Sequence, residues 1–451
     1  MSIPASAGPA PDWPITSDDP FLAADQIPAG VDAHGLSRFG EPAWNLSPLS
    51  SDAHASAVVV SWDRYQDPAL CSSIRRAGWC LINLPTPEEL LERKATSRVL
   101  WRSPGTVYGY LTQLRGFVNW LTGRGIGALA EVSEDNLEDY ALHVQALGYD
   151  TATKILYSIS LLWGYAPHLP AADRIPMPPW EAGDLDDFLP ELCVRNPGPP
   201  IHPAVMSPLL IWALRFLEDF SDDIIAAWQE RRRLDAQIPE QSSWDGVLRV
   251  RAFLHECAAD ARPVPGTTAT GPLTAAVAYL AGLLQVFPAQ VRDVIGYRRG
   301  RISLSDNAPL NVTITGRLHG RPWTAFIDCY RAAFLMRQLS TASMIIIGYL
   351  SGMRVGEVLN LPVGCCPDPE DDGKGTVRYE IYGSVHKGVR DEQGRRIPNG
   401  KPRHLPWTVI MPVVRAIRVL ERIADGDDLF PANAPWSNPP PIRQPCAPDI
   451  S

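Results

Sequence analysis

The stretch from Thr341 to Leu361 constrains this chain more than any other: Thr-Ala-Ser-Met-Ile-Ile-Ile-Gly-Tyr-Leu-Ser-Gly-Met-Arg-Val-Gly-Glu-Val-Leu-Asn-Leu. Met344 to Leu350 is too apolar for a surface, so a buried helix is predicted there, ending at Gly352. A second short helix then runs through Val355, Val358, Leu359 and Leu361. Arg354 therefore opens a helix that a buried one positions. A rigid fork of five donors, a permanent charge and a helix N-terminus beside it together suit an oxyanion or a phosphate. Glu357, three residues on, can hold Arg354 from behind. The plainer alternative is a helix corner whose arginine does no more than pair with Glu357.

With 451 residues the chain can build two or three domains with real cores, and 45% hydrophobic with 20% charged residues is a globular composition. The longest uncharged apolar run, Leu273 to Phe287, is too short for a bilayer and reads as a buried helix capped at Gly271 and Pro272. No basic-then-apolar N-terminal signal is visible, and no membrane partner is expected. The eight cysteines show no Cys-x-x-Cys pair and no zinc spacing, so no metal or disulfide framework is indicated and a cytoplasmic compartment is expected. Adjacent Cys365 and Cys366 read as packed thiols.

The net charge of -9 is unevenly spread. Arg292 to Arg418 carries 19 Lys and Arg against 11 Asp and Glu, a net of +8, which leaves -17 for the remainder. A local positive field on an acidic protein is what a phosphate-binding face needs.

Residues 1–56, rich in Pro, Ser, Ala, Gly and Asp, are expected to be a mostly disordered arm. From 57 to 180 the pattern is helical. Ser103-Pro104 opens a helix closed by Gly123 and Gly125, with Val107, Tyr110, Leu111, Leu114, Phe117, Val118 and Leu121 inward. Ser133 caps a second helix, and a third starts near Asp150. Residues 181–290 form a helical connecting region, with a long helix from Met206 to Arg233 that buries Leu209, Leu210, Trp212, Ala213, Phe216 and Leu217. Arg231, Arg232 and Arg233 at its end complement the helix dipole. Within 291–451, residues 310–315 and 323–327 read as a β-hairpin around Gly316 to Gly320, residues 376–383 as a strand, and residues 409–425 as a helix.

The phrase Ser-Gly-Met-Arg-Val-Gly-Glu-Val-Leu-Asn-Leu resembles the first-arginine motif of the tyrosine recombinases, or phage integrases, whose form is roughly Thr-Gly-Leu-Arg-x-x-Glu-Leu-x-x-Leu. Lys387 in Ser384-Val-His-Lys-Gly388, with Pro402-Arg-His-Leu-Pro406 after it, resembles the hairpin lysine of the same family; Lys401 is the alternative. Trp120-Leu-Thr-Gly-Arg-Gly125 resembles the close of a helix in that family's core-binding domain, and Asp428-Leu-Phe-Pro431 its Leu-Phe phrase.

The resemblance implies a mainly α fold with a small β-hairpin or sheet: a helical, SAM-like core-binding domain within 57–180 and an incomplete α+β catalytic domain that starts within 181–290 and takes up 291–451. It implies site-specific strand exchange on double-stranded DNA through a 3′-phosphotyrosine, needing no cofactor because bond energy stays in the covalent link. Arg354 would hold the scissile phosphate, Glu357 support it, and Lys387 protonate the leaving 5′ oxygen. Arg115, Lys154, Arg390, Lys401 and Arg403 are candidate DNA contacts, as are Arg102 and Arg124, although each alone could be a solvated charge. No His-x-x-Arg follows Phe430 and no tyrosine follows Tyr382, where Tyr379 and Tyr382 read as strand packing. The expectation is accordingly a C-terminally truncated, bacterial, DNA-associated recombinase that would tetramerise on DNA if full length. The alternative is a noncatalytic protein that occupies recombination sites.

Overall fold

The computed structural model describes residues 13–28, 31–49, 57–92, 101–183, 185–190, 200–269, 271–297, 302–369, 377–386, 389, 392 and 400–436. Over these residues the protein is mainly helical with small two-stranded sheets. It divides into two compact units, Met1–Pro199 with His386–Lys401, and Pro200–Val385 with Pro402–Ser451.

In the first unit, strands β1 (Ala43–Asn45) and β2 (Val59–Ser61) pair antiparallel ahead of helices α1 (Pro68–Asn83), α2 (Glu88–Glu92), α3 (Pro104–Thr122), α4 (Glu134–Gln145), α5 (Tyr149–Gly164) and α6 (Pro179–Ala182). The Ser103 hydroxyl accepts the Thr106 N–H at the start of α3, and Ser133 does the same for Asn136 in α4. Gly148 sits at φ 85°, a left-handed conformation suited to glycine, and turns the chain directly into α5. Of the stripe predicted for α3, Val107, Leu111, Leu114, Phe117, Val118 and Leu121 are buried and Tyr110 is half-buried.

The N-terminal segment departs from expectation. Within the described residues 13–49, Phe21, Leu22, Leu36, Phe39, Trp44 and Leu46 belong to the unit's core rather than to a disordered arm. Two interactions explain the order. Asn83, buried at the end of α1, accepts the Ala23 N–H (2.7 Å) and donates to the Phe21 carbonyl (2.9 Å), which fixes the segment to the helix. Trp44 donates its indole N–H to the carbonyls of Arg38 (3.1 Å) and Phe39 (3.2 Å) and meets Trp62 edge-on at 4.8 Å. A few aromatics spaced through polar sequence carry large buried area without giving a helical or strand period.

The second unit is organised around α12 (Ala332–Ser351). This 20-residue helix is long and apolar enough to cross a membrane by length and composition, but here it packs against α7 (Pro203–Arg215), α8 (Ser221–Ala236) and α14 (Met411–Ile423). The helix expected from Met206 to Arg233 is α7 and α8 joined through a π-helical turn, Phe216–Phe220. Ala213 and Leu217 are buried as expected, whereas Leu209 and Trp212 lie exposed at 41% and 48%. A helix apolar on every side gives no phase from sequence, so its buried face is set by its neighbours. Of the three arginines at the end of α8, Arg231 donates to the Cys329 carbonyl (3.0 Å) and Arg232 lies 4.0 Å from Asp425, whereas Arg233 pairs within the helix with Glu230 (2.7 Å).

Helices α9 (Trp244–Ala259), α10 (Val277–Leu284) and α11 (Pro288–Gly296) share a smaller core around Phe253, Leu254, Leu280 and Val291. The run expected as one helix from Leu273 to Phe287 is shorter. Its start is drawn into a pairing of β3 (Gly266–Thr267) with β4 (Thr274–Ala275), and Gln285 at φ 53° stops the helix. The hairpin expected from arms 310–315 and 323–327 is displaced: neither stretch is a strand, and the paired arms are the two-residue strands β5 (Arg317–Leu318) and β6 (Arg321–Pro322) between them. Further on, β7 (Tyr379–Ile381) pairs antiparallel with β10 (Trp407–Val409), and the two-residue strands β8 (Ser384–Val385) and β9 (Lys401–Pro402) lie between them in sequence.

The packing of the N-terminal segment is directly testable. Trp44→Ala should lower the unfolding free energy of the first unit by about 3 to 5 kcal/mol in urea titrations of the full chain. A change below about 0.5 kcal/mol, the range of a solvated surface position, would show that the segment contributes nothing to that core.

Candidate functional site

The corner carrying Arg354 begins where α12 ends. Gly352 takes φ 68° and its N–H bonds to the Gly348 carbonyl (3.1 Å), closing the helix in the left-handed turn that a side chain would strain. The Met353 N–H donates to the Ser351 hydroxyl (3.2 Å), and the Met353 side chain is buried, so the next residue faces outward. Arg354 is the N-cap of α13 (Val355–Leu359). Glu357, buried to 4% exposure, accepts the Arg354 backbone N–H at Oε2 (2.8 Å) and the guanidinium Nη1 at Oε1 (3.1 Å). One carboxylate thus holds both the backbone and the head of the arginine, while the Arg354 side chain stays 65% exposed. Tyr349 and Val355, close by in sequence, are exposed as well.

The other elements singled out in sequence converge behind this corner. Leu361, fully buried, accepts the Leu429 N–H (2.9 Å), and Pro362 forms a bridge with Asp428. The Tyr382 N–H donates to the Cys365 carbonyl (2.8 Å), and a Cβ on Gly383 would stand 3.2 Å from the Leu361 side chain. The arginine motif, strand β7 and the Leu-Phe phrase therefore share one core, in which Leu429 and Phe430 are buried. Cys365 and Cys366 are packed thiols, as expected. Burial pushes Cys365 up to about 12 and raises Cys366 too.

The basic candidates fare differently. Lys387 and Arg390 lie outside the described residues. Arg403 donates from its backbone to the Gly383 carbonyl (2.9 Å) and from Nε to the Leu405 carbonyl (2.7 Å), with its guanidinium 4.3 Å from the Trp407 ring centre. Its Nε is thus spent on its own loop, while the residue stays exposed. Lys401 is exposed in β9. In the first unit, Lys154 is exposed on α5, and Arg115 on α3 lines a shallow recess with Arg64, Tyr65 and Tyr108. Arg124 stacks on Trp120 at 3.6 Å. Arg102 is committed to structure, donating to the Thr86 hydroxyl (2.6 Å) and to the Tyr157 hydroxyl (3.2 Å). Tyr382 is 51% exposed with its hydroxyl on Glu380 (2.9 Å), so it is not the packed strand residue expected, whereas Tyr379 is half-buried.

A groove of about 500 Å³ beside α14 is lined by Arg415, Arg418 and Arg422. Each of these is matched by a carboxylate, Glu218, Asp368 and Asp222 respectively, so the groove offers an anion no surplus charge.

Sequence reasoning missed Asp223. Exposed by only 2%, it accepts the Thr315 N–H (2.9 Å), the Thr315 hydroxyl (2.7 Å), the Gly316 N–H (2.9 Å) and the Trp323 indole N–H (2.8 Å). Burial works to raise its pKa, but the four donors outweigh burial and hold the carboxyl below its ordinary value. The available signal was an acid placed three residues after buried Phe220 and just before buried Ile224, on the inward stripe of a helix.

Comparison with protein-family models, curated proteins and solved structures finds no match to this chain.

Asp223→Asn should cost the second unit about 3 kcal/mol in denaturant unfolding, because the amide turns an NH2 group toward donors that need an acceptor. The carboxylate's contribution is fully present above the unfolded value near 3.8 and is lost as pH falls through the lower folded value. The unfolding free energy measured on descending pH should therefore fall more steeply in the parent chain than in the variant below about pH 4. Parallel curves would contradict the assignment.

Proposed function

We propose that this chain is a DNA-binding protein of the tyrosine-recombinase type, in which Arg354 holds a backbone phosphate. The observation that carries the reading is the Arg354 corner. A buried glutamate orients the arginine through backbone and head group at once, yet most of the guanidinium stays open to solvent. Guanidinium has the geometry for bidentate bonding to phosphate oxygens, and an arginine fixed beforehand loses less entropy on binding. The net +8 between Arg292 and Arg418, on a chain of net -9, supplies a favourable field for a polyanion.

On this reading the first unit is the core-binding domain and the second the catalytic domain. Lys387 would serve as the general acid toward a leaving 5′ oxygen. Occupancy of duplex DNA is the activity assigned to the Arg354 corner.

Duplex binding followed by fluorescence anisotropy should be salt-dependent. Arg354→Ala should weaken it by about tenfold or more, the loss of one charge-assisted contact of about 1.5 to 3 kcal/mol. Absence of salt-dependent binding would overturn the DNA reading.

A further inference from the structure

The hairpin at residues 316–323 is built as a rigid, cation-tipped projection. We propose that it is a second nucleic-acid contact, gripping the phosphate backbone of duplex DNA through Arg317 and Arg321; this rests on the DNA-binding reading above. Its turn is His319-Gly320 at φ 51° and 79°, the two left-handed residues of the tightest hairpin connection, between the paired residues Leu318 and Arg321. A non-glycine residue in that conformation is disfavoured and persists only where the surroundings determine it.

The surroundings here are strong for so short a hairpin. Asp223 takes four hydrogen bonds from Thr315, Gly316 and Trp323 at its base. Trp323 stacks on Phe220 with ring centres 4.6 Å apart and planes at 22°. Gly316 leaves no room for a side chain, since a Cβ there would fall 2.2 Å from the Asp219 carbonyl oxygen. A two-strand ribbon of this length is not stable alone, so the buried anchor is what keeps its tip in place.

The anchored tip carries one sign of charge. Arg317, His319 and Arg321 are all exposed, and neither arginine forms an ion pair with a described residue. Arg317 reaches only the Gly320 carbonyl of its own turn (3.3 Å). Between Asp306 and Asp328 the chain has no acidic side chain, although acids outnumber bases over the whole sequence, 50 to 41. Asn311 and Thr313 add exposed neutral polar groups. Exposed arginines with neutral polar neighbours on a preformed ribbon are the chemistry of backbone contacts, which position a protein on a duplex without reading sequence. The three paired arginines of the α14 groove lack that surplus charge.

The test is the double variant Arg317→Gln/Arg321→Gln in the full chain, titrated by anisotropy against two duplexes of unrelated sequence between about 50 and 200 mM salt. The slope of log affinity against log salt should shrink by about 1.8, with equal loss on both sequences. Arg317→Lys/Arg321→Lys should keep the parent slope, and thermal melting of both variants should match the parent. A parent chain that binds duplex with a slope the glutamine variant leaves unchanged would overturn the hairpin contact while sparing the Arg354 reading. No salt-dependent binding by the parent would overturn both. A loss confined to one sequence, or preferential binding of single-stranded RNA, would overturn the duplex-backbone assignment.

Discussion

The burial of α12 is the constraint on which the second unit depends. The helix is met by α7, α8 and α14, and its inward side chains, Met336, Leu339, Ile346 and Ile347 among them, are essentially out of solvent. Interiors are packed at crystal-like density, so a helix enclosed in this way cannot slide or rotate without opening cavities on several sides. Both ends of the helix inherit that immobility. At the C-terminal end it fixes the Gly352 turn and hence the direction of Arg354. At the N-terminal end it fixes Asp328, whose carboxylate accepts the N–H groups of Ala308 (2.7 Å) and Tyr330 (2.8 Å) at the root of the hairpin segment.

Buried carboxylates do the local fastening. Asp173 in the first unit accepts the Ser73 hydroxyl (2.7 Å) and pairs with Arg76, Asp223 ties the hairpin to α8, and Glu357 ties Arg354 to α13. Withdrawing a carboxylate from water is expensive, and a ring of well-aimed donors offsets that cost in only one geometry. Such groups add less to net stability than their hydrogen bonds suggest. Any displaced arrangement leaves several partners unpaired at once, which is how they select a single conformation.

The sequence was legible where local signals and tertiary packing agree. Ser103, Ser133 and Gly123 mark helix ends by chemistry that acts within one turn, and the stripe of α3 repeats long enough to be read. The Arg354 corner was legible for the same reason, since Gly352, Arg354 and Glu357 interact within five residues of one another. What escaped depends on partners far away in the chain. Asn83 ordering the segment around Phe21 and Asp223 locking Thr315 are bonds across 60 and 92 residues, and neither polar residue announces its partner. The exposed face of α7 escaped because an all-round apolar helix has no intrinsic inside. Of the expected site, Arg354 and Glu357 form a pair, Arg403 is turned to its own loop, and Lys387 and Arg390 lie outside the described residues.

The buried thiols have a use beyond packing. Cys71 and Cys80 lie in the first unit, and Cys257, Cys329, Cys365 and Cys366 in the second, each free and enclosed. Burial pushes Cys80, Cys329 and Cys365 up to about 12, so almost none of the reactive thiolate exists in the closed state near neutral pH. An alkylating reagent must wait for local opening before it can act. Each unit therefore carries its own native clock, in which the rate of capture at a given thiol measures how often its surroundings breathe.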